Sequence, residues 1–158
     1  MTASGGRFAV HGHFYQPLRV DPFSGGVPAD PAAAPFHDWN ARIDAECYRP
    51  NAERGTLGRI SYDVGPTLAD WLATNAPASY RGFIAGDGGT SGSPSSGLGN
   101  AMAQSFHHTI LPLASAADRR TEVGWGIRDF EFRFGRKPEG DRFSWEKTDL
   151  VDQLKQAV

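Results

Sequence analysis

Cysteine is almost absent. Cys47 stands alone in 158 residues, so no internal disulfide can form. The opening stretch, "MTASGGRFAV", lacks the apolar centre of a secretion signal, and no apolar run approaches the roughly 20 residues that cross a bilayer. A cytoplasmic location with no membrane partner is expected. Charge of one sign is missing too: the formal net charge is -2 and no long basic run occurs, which argues against nucleic acid or an anionic surface as the main partner. No internal repeat at solenoid spacing is present. The Gly/Ser tract "GDGGTSGSPSSGLG" has neither the Lys-Ser/Thr ending of a phosphate loop nor a dinucleotide fingerprint, and no Gly-x-Ser-x-Gly elbow offers a serine nucleophile. What is there, 39% hydrophobic and 22% charged residues, is ordinary for a soluble globular domain. One domain is the default, with a small molecule or neutral polymer as ligand.

The stretch that asks for an explanation is "HGHFYQP", residues 11–17. In "RFAVHGHFYQP" the alternation suits a short strand, with Ala9, His11, His13 and Tyr15 on one face and Phe8, Val10 and Phe14 on the other. Gly12 permits close approach, and Pro17 ends the ladder. Two histidines facing one way fit a metal site, a sugar-binding edge or merely the polar end of a strand.

Residues 18–40, rich in proline, form an expected long loop that ends in Phe36, His37 and Trp39. Asp38, Arg42 and Glu46 then follow helical spacing and suit exposed ion pairs. Two short core-facing helices are predicted from Pro66 (Leu68, Trp71, Leu72) and within "PASYRGFI" (Tyr80, Phe83, Ile84), followed by a flexible Gly/Ser loop over 86–99. Asn100 is expected to cap a helix through "AMAQSFHHTI", with His107 and His108 near its C-terminal end, where the helix dipole favours a protonated imidazole. A longer helix is predicted to start at Asp118 or Thr121, to carry Val123, Ile127, Phe130 and Phe134, and to end at Gly135, with Asp129 and Glu131 solvated and Trp125 packing. A strand-like "DRFSW" and an amphipathic helix in "WEKTDLVDQLKQAV" complete the chain.

Several blocks together, "HGHFYQPLRVDPFSG", "PFHDWNARIDAECYRPNA", "ISYDVGPTLADWL", "GNAMAQSFHHTILPLA" and "RTEVGWGIRDFEFRFGRKPEG", resemble the N-terminal part of glycoside hydrolase family 57. The likeness runs nearly to Gly140. It includes a histidine-bearing first strand, matched by His11, His13, Gln16 and Pro17, and a His-x-x-Leu-Pro-Leu element, matched by His108, Leu111, Pro112 and Leu113. The resemblance implies an α/β fold, a partial (β/α)7-barrel-like parallel sheet with flanking helices. It also implies an α-glucan or maltooligosaccharide substrate handled by retaining hydrolysis or glucan transfer, in which one carboxylate attacks the anomeric carbon and a second, about 5 Å away, protonates the leaving oxygen. The implied substrate-binding residues are His11, His13, Gln16, Trp39, Asn100 and His108. Neither a metal nor a cofactor is expected.

Residues 1–140 thus resemble the N-terminal part of a family 57-like catalytic barrel, and 141–158 form a divergent segment. Where the family continues into a Trp-Leu-Pro-Glu strand bearing the nucleophile, this chain reads "KPEGDRFSWEKTDL". Trp145 takes the position of the glutamate, and Glu146, the candidate catalytic carboxylate, comes one residue late. A one-residue shift turns a strand side chain to the opposite face unless a bulge restores it. The expectation is a shortened family 57-like protein of little or no activity. A carbohydrate-binding or interaction module, forming a homo-oligomer through its C-terminal helix, is the alternative. A zinc hydrolase using His11 and His13, with His107 or His108 and an aspartate, ranks last.

Overall fold

The computed structural model describes residues 9–88 and 99–138, a mixed α/β arrangement around a small parallel sheet that is not closed into a barrel. Strand β1 (His11–Phe14) pairs in parallel with β2 (Ser61–Val64), His11 opposite Ser61 and His13 opposite Asp63. A third extended segment joins at Ala101, which bridges Tyr62 in parallel; Tyr62 N–H donates to the Asn100 carbonyl and Met102 N–H to that of Tyr62. Parallel neighbours need long crossovers, and helices supply them.

The first crossover begins with a loop containing one short 3-10 turn (Pro31–Ala33). It continues through helix α1 (Trp39–Ile43), a π-helical turn (Asp44–Tyr48) and helix α2 (Arg49–Glu53). Asp38 is not an exposed partner of Arg42: its carboxylate caps α1, accepting from the N–H groups of Asn40 and Ala41, and it is buried. Arg42 and Glu46 do form the exposed pair, at 3.2 Å.

After β2 come α3 (Pro66–Asn75) and α4 (Pro77–Asp87), each with proline in its first turn, where a missing N–H costs nothing. Helix α4 runs through Gly86 and Asp87, the first residues of the expected 86–99 loop, and residues 89–98 of that stretch lie outside the described residues. A side chain at Gly86 would meet Leu57 at 2.6 Å, and this close approach lets the helix continue against its neighbour. Helix α5 (Ala116–Phe134) starts earlier than Asp118 because Ser115 caps it: the Ser115 hydroxyl accepts from Asp118 N–H and donates to the Asp118 carboxylate. Gly135, at φ 65°, closes it as expected.

The helix expected over 100–110 is replaced by extended chain and a turn. The N–H groups that an Asn100-capped helix would turn inward are used elsewhere. Met102 donates to Tyr62 across the sheet, and Phe106 and His107 donate to Glu122 of α5. The Asn100 amide donates to the carbonyls of Leu57 and Gly86. Sheet pairing and α5 together outweigh a local preference worth only tenths of a kcal/mol per residue.

Tyr62, Phe83, Leu57, Leu68 and Leu72 form the fully buried centre, each worth about 1.5–3 kcal/mol relative to exposure. Phe14 and Tyr62, from the sheet face opposite the histidines, meet Phe83 of α4 edge-on at 5.0 and 5.8 Å. The apolar face of the sheet thus turns towards the helices, and the histidines lie on the other face. Among the described residues no helix is long and apolar enough to cross a membrane.

Candidate functional site: a histidine and aspartate cluster

Strand alternation and register bring the site together. In parallel register His13 lies beside Asp63, and His11 beside Ser61, all on one face. Nδ1 of His13 lies 2.8 and 3.0 Å from the two oxygens of Asp63, a carboxylate with no solvent exposure. A carboxylate only accepts, so His13 donates from Nδ1 and its Nε2 is turned outward. That Nε2 meets Nε2 of His108 at 2.9 Å. With His13 neutral, His108 donates from Nε2 and His13 accepts; with His13 doubly protonated, the bond reverses. The result is a hydrogen-bonded chain from His108 through His13 to Asp63.

His11 stands at the edge of this chain. Its Nδ1 is 3.0 Å from the Ser61 hydroxyl, and its Nε2 is 3.6 Å from Asp63, too far for a hydrogen bond but close enough for charge to matter. Tyr15, just past the end of β1, stacks on His108 at 4.1 Å between ring centroids. His108 itself has φ 57°, a left-handed backbone that a residue with a Cβ adopts at a cost of about 1–2 kcal/mol.

The other expected binding residues lie elsewhere. Gln16 is buried, donating to the Tyr48 hydroxyl at 3.0 Å and accepting from Arg19 at 3.0 Å. Burial pushes the Tyr48 phenol above its ordinary range, offset in part by Gln16. Trp39 lies under the Arg42 guanidinium at 5.0 Å. Asn100 is committed to the backbone contacts given above. Glu146 and Trp145, the strand-like "DRFSW" and the C-terminal helix fall outside the described residues.

A separate cleft of ≈ 830 Å3 opens between the loop after β1 and α3, with Arg19, Asp38, Asn40, Asp44, Trp71 and Thr74 among its lining residues. Its floor holds the buried Asp44, which accepts from Arg49 and from the Ser79 hydroxyl, each at 2.6 Å. Asp129, expected to be solvated, is instead held by Arg133 of its own helix at 2.9 Å. Among the described residues no group of three or more His, Cys, Asp or Glu is arranged to hold a metal ion. Both ring nitrogens of His13 are already engaged, by Asp63 and His108.

Sequence reasoning missed Asp63, Tyr15 as the ring stacked on His108, and Glu122. Asp63 carried a usable signal: in "SYDV" it alternates with Tyr62 and Val64, so a strand there must point it away from the apolar face.

No family model matches this chain, and no solved structure matches it. Among curated proteins a 25-residue stretch is 72% identical to S-adenosylmethionine synthase from Rhizorhabdus wittichii, which is 16% of this chain and 6% of that protein. So short a likeness assigns neither fold nor activity.

Proposed function

We propose that His13 and His108, with His11 and Tyr15 beside them, form the sugar-binding edge of a family 57-like site for α-glucans or maltooligosaccharides. The observation that carries this reading is the 2.9 Å contact between the two Nε2 atoms. It unites residues from the two separate motifs on which the resemblance rests. Imidazoles that both donate and accept suit sugar hydroxyls; the Asp63 carboxylate fixes the tautomer of His13 that turns Nε2 to His108, so in this reading a sugar hydroxyl reaches that nitrogen by displacing the contact between the two rings.

Retaining hydrolysis or glucan transfer needs two carboxylates about 5 Å apart. Asp63 is a poor nucleophile: it is fully buried and both its oxygens accept from His13. Its role in this reading is to orient His13. Sugar binding without cleavage is the second reading, favoured by this engagement of Asp63.

The deciding experiment is release of reducing sugar from soluble starch by the wild type and Glu146→Gln, alongside maltohexaose binding. Release that is lost in the variant makes Glu146 the nucleophile. Binding without release selects the binding module, and no binding by either protein refutes the sugar reading.

A further inference from the structure

We infer that Glu122 of α5 is the positioning residue that sets the left-handed backbone of His108 and so assembles the histidine chain; the consequence for sugar binding rests on the function proposed above. His108 follows a turn whose bond from the His108 N–H to the Ser105 carbonyl is long, at 3.5 Å. A turn that weak does not hold a β-carbon residue at φ 57° by itself.

The His108 ring is held by His13 and Tyr15, and the main chain leading into it is held by α5. One oxygen of Glu122 accepts the His107 backbone N–H at 2.8 Å, and the other lies 2.8 Å from Nδ1 of the same histidine. A single carboxylate thereby grips both the main chain and the ring of the residue before His108. The Glu122 backbone carbonyl accepts from Phe106 N–H at 3.2 Å. One turn along, Trp125 meets Phe106 and His107 edge-on, with centroids at 5.7 and 6.0 Å. Gly126 leaves room for the strand end, since a Cβ there would fall 1.9 Å from the Gln104 carbonyl oxygen.

Residues at i, i+3 and i+4 share a helix face, so Glu122, Trp125 and Gly126 form one surface against which residues 104–107 are laid. His107, the neighbour of the site histidine, acts in this arrangement as the handle by which α5 sets His108. Glu122 bonds to Phe106 and His107, and its effect on His108 passes through the main chain that joins them.

The test is NMR of the full chain carrying 15N-labelled histidine, without sugar, reading the coupling across the N–H···N bond between His13 and His108. Tm and helix content are measured alongside. In the wild type the coupling is present. Glu122→Ala abolishes it while α5 remains helical, and Glu122→Gln, which still accepts the His107 N–H, retains part of it. Maltohexaose affinity then falls at least tenfold in Glu122→Ala and by less in Glu122→Gln. A folded Glu122→Ala with unchanged coupling overturns the inference. Should that variant not fold, undiminished coupling in Glu122→Gln overturns it equally, and diminished coupling supports it. Failure of the wild type to bind maltohexaose would refute the sugar reading alone, because the coupling is read without ligand.

Discussion

Replacing His108 by glycine and by alanine should reverse the usual order of those two residues. Both variants lose the stack on Tyr15, worth about 0.5–1.5 kcal/mol, and the hydrogen bond to His13, worth about the same. They differ only in the backbone at φ 57°. Alanine keeps the left-handed cost of about 1–2 kcal/mol, whereas glycine escapes it and gives up about 0.5–1 kcal/mol of extra chain entropy. His108→Gly should therefore be more stable than His108→Ala by about 0.5–1 kcal/mol, or about 1–4 °C in Tm for a chain of this size. Urea and thermal unfolding of the two variants side by side measure the difference. An alanine variant as stable as the glycine one, or more so, would refute a strained backbone at the site. Both variants lose the imidazole, so the reasoning also requires that the gain in stability brings no gain in sugar affinity.

Gly124 and Gly126 form a matched pair within α5. Gly124→Ala meets nothing within 4 Å and should stabilise by up to about 1 kcal/mol, whereas Gly126→Ala drives a methyl into the Gln104 carbonyl and should destabilise by about 1–3 kcal/mol, both read by urea unfolding. Asp44→Ala strands the buried Ser79 hydroxyl and frees Arg49, and should cost about 1–3 kcal/mol; a neutral result would show that the pair contributes nothing. Burial, aided by Asp87, raises the Tyr62 phenol well above its unfolded value near 10, and burial raises Tyr48 as well. Each folded phenol thus stays neutral where the unfolded one ionises. Stability should be level below about pH 10 and fall above it, by up to about 1.4 kcal/mol per pH unit for each tyrosine, and Tyr62→Phe should flatten that fall.

How much of this was legible in the sequence depends on whether local or distant groups decide each element. Pro66 and Pro77 open α3 and α4 and Gly135 closes α5 through their own backbone constraints, which a sequence displays directly. The facing of His11 and His13 is equally local, since a strand repeats every two residues. The segment around His108 was misread because what settles it is distant: Tyr62 and Glu122 take up the N–H groups that a helix would need. Asp63 is intermediate. Its alternation was visible, but its partner, 50 residues away, was not.

The most direct test of the account is a calorimetric titration of maltohexaose into the wild type and into His108→Ala. The account predicts saturable binding by the wild type, weakened at least tenfold in the variant, because removing one imidazole breaks the edge at its junction. Binding of equal strength in the two proteins would move the sugar away from the histidine chain, and absence of binding in the wild type would contradict the α-glucan reading itself.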